Sequence, residues 1–128
     1  MKNYEELQIW QEGCRLAVDI YQLTTNEPFT KDFGLKDQIR RSSVSIPSNI
    51  AEGKERETIK ELVRYLCVAK GSAAELKTQL YIAQGVGYLN VDIYLDLNER
   101  IALLSKQIGG FIRKLKSTRK KAIVDING

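Results

Sequence analysis

One stretch of the chain, QIRRSSVSIPSNIAEG at residues 38–53, combines helical spacing with side chains that form hydrogen bonds. Its polar residues recur at steps of three and four, which places them on one face of a helix. This polar stripe consists of Gln38, Ser42, Ser45, Asn49, Glu52 and Arg56. The small serines allow a neighbouring backbone to come close, and a buried polar group without a partner costs about 1–3 kcal/mol. The stripe therefore predicts a hydrogen-bonded contact with another helix.

A matching polar side lies on a later helical segment. Its members are Ser72, Glu75 and Gln79. Arg41 or Arg56 could add a charge-assisted pair to this contact, with Glu75 or Glu52 as the acceptor. We therefore expect the stripe and this segment to face each other.

Two interpretations of the stripe follow from its composition. In the first it is a polar seam that fixes helix register or forms a subunit interface. In the second it lines a groove for a ligand or a nucleic acid. The residues of that groove would be Arg40, Arg41, Ser42, Ser45 and Asn49. A small-molecule site within the seam is a further, weaker hypothesis.

Catalytic chemistry finds no support in the sequence. The chain has no histidine, which removes the commonest general base and the commonest zinc ligand. No motif pairs a nucleophile with a base, no carboxylates have metal-ligand spacing, and the glycines form no phosphate-binding loop. Cys14 and Cys67 lie in apolar helical runs, so both are expected to be buried and reduced. We expect a protein that is not an enzyme, with no catalytic residues, no metal and no cofactor.

Positive charge concentrates near the end of the chain. Residues 99–121 hold eight basic side chains against one acidic one, Glu99, a net charge of +7. Such a patch binds phosphate groups through counterion release. The candidate nucleic-acid-binding residues are Arg40, Arg41, Arg113, Lys114, Lys116, Arg119, Lys120 and Lys121. The alternative is a solvated helix face whose basic end suits the negative pole of the helix dipole.

Four amphipathic helices are needed to position these residues. Apolar periodicity predicts them at about residues 4–25, 34–56, 58–86 and 91–119. Asn3, Thr58 and Asn90 are the predicted N-caps of the first, third and fourth helices. The apolar stripe of the fourth helix is Ile93, Leu97, Ile101, Leu104, Ile108, Phe111 and Leu115. In the second helix, Pro47 predicts a kink or a looser turn, and Gly53 is expected to weaken or end it.

Short connections between long helices favour antiparallel neighbours. The predicted fold is therefore all-α, an up-down-up-down antiparallel four-helix bundle in a single domain at residues 1–121. Residues 122–128 are expected to form a flexible tail.

Two long segments make the sequence recognisable. These are QIRRSSVSIPSNIAEG and RYLCVAKGSAAELKTQLYIAQGVGYL. The chain, from about residue 4 to 116, closely resembles a bacterial four-helix-bundle family first noticed as reading frames within intervening sequences of 23S ribosomal RNA genes. Members are often labelled as a ribosomal protein. At Ser42 and Ser43, alanine is common in the family; because serine is also small, the close helix approach should survive.

The resemblance implies more than the residues do. The family lies close to the accessory variability determinant of diversity-generating retroelements, a barrel-shaped homopentamer of four-helix bundles that binds nucleic acid and a reverse transcriptase. It therefore implies a ring-like homo-oligomer, a pentamer, with a basic surface. It also implies a reverse transcriptase as partner if this chain serves a retroelement.

Two functions remain as hypotheses. The first is a non-enzymatic homo-oligomer that binds RNA or DNA through phosphate contacts, without base stacking, because no aromatic residue interleaves the cluster at 112–121. The second is an assembly scaffold for a protein partner, with no nucleic-acid binding. The N-terminus MKNYEELQIW lacks the apolar core of a signal peptide, and no apolar run suits a membrane span, so a cytoplasmic location without membrane contact is expected.

Overall fold

Four helices make up almost the whole of the computed structural model, which describes residues 3–127. The helices are α1 (Gln8–Leu23), α2 (Phe33–Lys54), α3 (Ile59–Gly85) and α4 (Val91–Asn127). Two short 3₁₀ turns, Tyr4–Glu6 and Phe29–Lys31, precede α1 and α2. No strand occurs between residues 3 and 127. The predicted all-α class is therefore confirmed.

The starts of these elements depend on short polar side chains. Asn3, Thr58 and Asn90 each accept a hydrogen bond from the backbone N–H three residues further on, at 3.2, 3.1 and 2.9 Å. Asp32 caps α2 in the same way, accepting from the N–H of Leu35 at 3.1 Å. These contacts satisfy donors that a helix start leaves without an intrahelical acceptor. The three N-caps expected from the sequence are confirmed, although Asn3 caps the 3₁₀ turn rather than α1 itself.

Consecutive helices run antiparallel around a four-sided bundle. Near the loop between α2 and α3, Gly53 packs against Leu62, while further along Ser45 contacts Ser72. Each helix contacts its neighbours in sequence, and α1 also packs, most loosely, against α4. The sides of the bundle are therefore α1/α2, α2/α3, α3/α4 and α1/α4.

The core fills the space between the four helices. Its largest fully buried aliphatic side chains are Leu16, Ile20, Ile39, Ile46, Ile50, Leu66, Leu76, Leu80, Ile101 and Ile108. Phe29 closes one end of it. The apolar stripe predicted for α4 enters this core except at Phe111, which is half-buried against it, and at its first member, Ile93, which is exposed. Ile93 lies in the first turn of α4, where the side chain faces the edge of the bundle.

Pro47 and Gly53 are contact points between helices. Helix α2 continues through Pro47 without a break, so the looser turn predicted there does not form. Pro47 is buried against α1, where a Cβ on Gly13 would lie 3.3 Å from its ring. A Cβ on Gly53 would lie only 2.8 Å from the Cβ of Tyr65. Gly13 and Gly53 therefore let α2 approach α1 and α3 closely.

Two further expectations differ from the structure. Cys67 is exposed and Cys14 only half-buried, so the prediction that both are buried is wrong. Cys67 comes directly after Leu66, whose side chain is buried in the core. The apolar residues of α3 cover more of the helix surface here than the face that packs against the core, and Cys67 lies outside that face. Helix α4 extends to Asn127 rather than 119, because alanine and lysine continue a helix readily and no glycine follows until residue 128. The flexibility of residues 122–128 stays a prediction.

Within residues 3–127, none of the helices combines the length and the apolar character that a membrane span requires.

Candidate nucleic-acid interface

A basic groove runs along the α3/α4 side of the bundle, through two hollows. The first hollow, of about 380 Å³, is lined by Lys70, Ala74, Lys77, Ala102, Ser105, Lys106, Gly109 and Arg113. The second, of about 310 Å³, is lined by Lys60, Val63, Lys116, Arg119 and Lys120. Eight of these thirteen residues are cationic and none is acidic. We refer to the two hollows together as the α3/α4 basic groove.

Helical spacing explains why these residues share one side. Lys70 and Lys77 lie seven residues apart on α3, as Lys106 and Arg113 do on α4. Seven residues are close to two helical turns, so each pair projects from one face. Because α3 and α4 run antiparallel, the two faces meet along the groove.

Two cations converge above the backbone of α4 at Gly109. The ammonium Nζ of Lys70 lies 3.4 Å from the position that a Cβ on Gly109 would occupy, and Nη1 of Arg113 lies 3.5 Å from it. A Cβ at residue 109 would lie in ordinary van der Waals contact with the ends of both flexible side chains. Glycine in a helix interior costs about 1 kcal/mol relative to alanine. At Gly109 this loss of helix stability occurs where the side chains of Lys70 and Arg113 bring two positive charges together.

Carboxylates of the side chains that the structure describes do not neutralise the charges of the groove. Among the ion pairs that join described side chains, none includes a cation of the α3/α4 basic groove. Like charges held close together repel each other and attract an anion from solution. This arrangement can therefore bind phosphate groups.

The predicted nucleic-acid-binding residues fall in different places. Arg113, Lys116, Arg119 and Lys120 line the α3/α4 basic groove. Lys114 and Lys121 are exposed on α4 but line neither hollow. The remaining two candidates, Arg40 and Arg41, lie on the α1/α2 side, in the half of α2 far from the end of α4.

Arg40 has a structural role at the end of α1. Its Nε donates to Oγ1 of Thr24 at 2.8 Å, and its Nη2 donates to the carbonyl of Tyr21 at 3.2 Å. The guanidinium also lies 4.4 Å from the centroid of the Tyr21 ring. Arg41 pairs with Asp37 at 2.9 Å, rather than with Glu75 or Glu52. Two donors of Arg40 therefore hold α1 to α2.

Part of the polar stripe lies between α2 and α3 of the same chain. The hydroxyls of Ser45 and Ser72 are 2.7 Å apart, and Nδ2 of Asn49 donates to Oγ of Ser45 at 2.9 Å. Ser42 is buried. Three members of the stripe are exposed instead: Gln38, Glu52 and Arg56. Glu75, on the polar side of α3, is also exposed. The side chains of Arg56 and Glu52 form an ion pair at 2.8 Å.

An open hollow of about 780 Å³ on the α1/α2 side reaches one end of this seam. Ser45 is the stripe residue that lines it, together with Arg40 and Arg41. The hydroxyl of Ser45 is already hydrogen-bonded within the chain. Nothing in this geometry singles out a small molecule.

Sequence reasoning missed four lysines of the α3/α4 basic groove as site residues. These are Lys60, Lys70, Lys77 and Lys106. The net charge was counted over consecutive residues of the sequence. The groove instead combines residues of α3 and α4 that are far apart in the sequence. The matched spacing of seven residues on both helices was the available signal.

Comparisons with known proteins agree with this architecture. A family model described as 23S rRNA-intervening sequence protein matches residues 5–110. The structure is similar to the crystal structure of a protein of unknown function from the S23 ribosomal protein family of Bacteroides thetaiotaomicron VPI-5482. The two share 25% sequence identity and a TM-score of 0.75, over 81% of this chain and 97% of the other. No curated protein sequence matches the chain significantly. Since the family model covers most of the bundle, the chain belongs to the 23S rRNA-intervening sequence protein family.

Proposed function

We propose that this protein is a non-enzymatic homo-oligomer that binds RNA or DNA through phosphate contacts in the α3/α4 basic groove. The observation that supports the proposal is the concentration there of eight cations without a lining carboxylate. By family resemblance the oligomer is a ring-like pentamer. A reverse transcriptase is the corresponding protein partner if the chain serves a retroelement.

The dimensions of the groove suit a nucleic-acid backbone. Its lining extends along α4 from Ala102 to Lys120. At 1.5 Å per residue this is about 27 Å. Because the strands of a duplex wind around its axis, a straight groove of this length could contact the few phosphates of a strand that face it.

The chemistry of the groove favours recognition of charge and shape over sequence. No aromatic side chain lines either hollow, so bases have no surface for stacking. Lysine also dominates among the cations. Lysine contacts a phosphate as a point charge, whereas paired readout of a base edge is more typical of arginine.

The test is a pair of variants with equal changes in charge. The groove variant carries Lys70→Gln, Lys106→Gln and Lys116→Gln. The control variant carries Arg15→Gln, Lys31→Gln and Arg64→Gln, which remove cations that pair with carboxylates and line neither hollow. Binding of fluorescent duplex DNA and structured RNA is measured by anisotropy at several salt concentrations.

We expect wild type to bind with strong salt dependence and the control variant to bind nearly as well. The groove variant should lose about one unit of the slope of log K against log salt for each lysine removed. Equal losses in both variants would show that net charge, not the groove, attracts the nucleic acid. If wild type binds neither probe at low salt, a scaffold for a protein partner becomes the better hypothesis.

A further inference from the structure

Two surfaces at one end of the bundle carry opposite charge and exposed apolar side chains. The first, the basic–apolar surface, lies on the α1/α2 side. Its charged and apolar members are Tyr21, Phe33, Lys36, Arg40, Arg41 and Val44, together with Asp37, which pairs with Arg41 and leaves a net positive charge. Phe33 is 73% exposed, and Nζ of Lys36 lies 4.9 Å from the centroid of its ring. Exposed aromatic side chains beside cations are typical of an interaction surface rather than of a solvated helix face.

The second, the acidic surface, lies on the α1/α4 side around an open hollow of about 420 Å³. Its principal members are Asp19, Leu23, Asp92, Ile93, Asp96 and Leu97. Asp19 pairs with Arg100 across the two helices at 2.9 Å. Asp92 and Asp96 are exposed, and neither occurs in an ion pair between described side chains. Ile93, whose side chain is exposed rather than buried in the core, supplies apolar area to this surface.

Both surfaces lie at the same height along the bundle. Tyr21 of the basic–apolar surface and Asp19 of the acidic surface are two residues apart on α1. Arg40 contacts α1 at Tyr21, and Arg100 contacts α1 at Asp19. Helix α1 therefore separates two surfaces of opposite sign on adjacent sides of one bundle.

We infer that the basic–apolar surface of one copy of this chain docks on the acidic surface of the next copy, in a head-to-tail contact. This inference rests on the proposed homo-oligomer and specifies its interface. Lys36 and Arg41 of one copy would face Asp92 and Asp96 of its neighbour. Phe33 and Ile93 supply apolar area on the two sides.

The positions of the two surfaces allow the assembly to close. A head-to-tail contact produces a closed ring when its rotation divides a full turn. Adjacent sides of a four-helix bundle face about 90° apart. That angle closes a ring of four subunits, and a widening to about 108° closes a ring of five. Because both surfaces lie at one height, successive copies need no translation along the ring axis.

A two-fold dimer through either surface alone is electrostatically unfavourable. Two basic–apolar surfaces would bring the same cations face to face, and two acidic surfaces would oppose their aspartates. A second copy in head-to-tail orientation pairs each sign with its opposite.

Charge exchange between the two surfaces tests this contact. One variant carries Lys36→Glu and Arg41→Glu, a second carries Asp92→Lys and Asp96→Lys, and a third combines all four substitutions. Arg40 stays unchanged because it holds α1 to α2. Mass is measured by light scattering after gel filtration, and circular dichroism checks that each variant is folded.

We expect wild type to form a closed oligomer, each two-residue variant to dissociate toward monomer, and the four-residue variant to assemble again. The inference fails if wild type is monomeric, if only one of the two surfaces affects assembly, or if the combined variant stays dissociated. The groove variant, with its lysines on the α3/α4 side, should assemble like wild type. Loss of nucleic-acid binding and loss of assembly are thereby measured separately.

Discussion

Glycine has two different roles in this bundle at the scale of single residues. At Gly53 a Cβ would lie 2.8 Å from the Cβ of Tyr65 and 3.1 Å from Cδ1 of Leu62. At Gly71, in the middle of α3, a Cβ would meet nothing within 4 Å. Gly53 is therefore required by the approach of two helices, whereas the surroundings of Gly71 would accept a larger residue.

Alanine substitution should have opposite effects at these two positions. Gly53→Ala should lower the free energy of unfolding by about 1–3 kcal/mol, because overpacking outweighs the gain in helix propensity. Gly71→Ala should raise it by about 0.5–1 kcal/mol, because alanine loses less backbone entropy in a helix. Urea unfolding of both variants at equal protein concentration measures the two changes. Stabilisation by Gly53→Ala would contradict the close approach of α2 and α3.

At the scale of elements, a serine pair joins α2 to α3. The hydroxyls of Ser45 and Ser72 are 2.7 Å apart, and Ser72 is only 7% exposed. Asn49 donates both to the hydroxyl of Ser45 and to its carbonyl. The contact therefore fixes the register of the two helices through one buried hydroxyl, that of Ser72, and two half-buried partners.

Removing one serine should lower the free energy of unfolding by more than the loss of a hydrogen bond alone, because the other hydroxyl is left without this partner. Ser45→Ala leaves the buried hydroxyl of Ser72 without this partner, which should lower the free energy of unfolding by about 1–3 kcal/mol. The double variant Ser45→Ala/Ser72→Ala should lose less than the sum of the two single changes, with a coupling of about 0.5 kcal/mol or more. A double-mutant cycle by urea unfolding gives this coupling. Strict additivity would mean that the two hydroxyls do not interact.

At the scale of the whole molecule, one hydrogen bond ties together the two loops at an end of the bundle. The hydroxyl of Tyr88, after α3, donates to Oδ2 of Asp32 at 2.9 Å. The other carboxylate oxygen of Asp32 caps α2, and the Tyr88 ring meets Phe29 edge-on at 5.5 Å. The hydrogen bond to Asp32 raises the pKa of Tyr88 above its ordinary value.

This contact should make part of the stability sensitive to alkaline pH. Because the pKa is higher in the folded state, the contribution is complete below the unfolded value of about 10 and is lost as the pH rises through the folded value. Tyr88→Phe should therefore be less stable than wild type near neutral pH, and the difference should shrink above about pH 10. Urea unfolding across this range measures the difference, with Tyr81→Phe as control. A difference independent of pH would contradict the assignment.

Charge is also distributed at the scale of the whole molecule. The α3/α4 side carries cations without lining carboxylates, whereas the α1/α4 hollow carries three aspartates and one arginine. The net charge of +4 conceals this division. In the proposed ring, the α1/α2 and α1/α4 sides meet between copies and the α3/α4 side remains available to nucleic acid.

Local patterns in the sequence were sufficient to predict the elements of this fold. Apolar residues at helical spacing and caps such as Thr58 and Asn90 act within one or two turns, so they can be interpreted without knowing what packs nearby. The same reasoning indicated that Ser45, Asn49 and Ser72 needed hydrogen-bonding partners. Helix class, number and order therefore followed from the residues themselves.

The sites required the tertiary structure because they combine residues that lie far apart along the chain. Lys70 and Arg113 meet above Gly109 only once α3 and α4 pack, and Arg40 leaves the predicted basic set because α1 ends beside it. The exposure of single residues also depends on the packing. Cys67 and Ile93 are apolar, but both are exposed because other side chains of their helices fill the core. The sequence by itself determined the helices and their polar and apolar faces, since these depend on local spacing. Only the packed bundle decided which faces became core, seam or open groove, since that depends on which helices become neighbours.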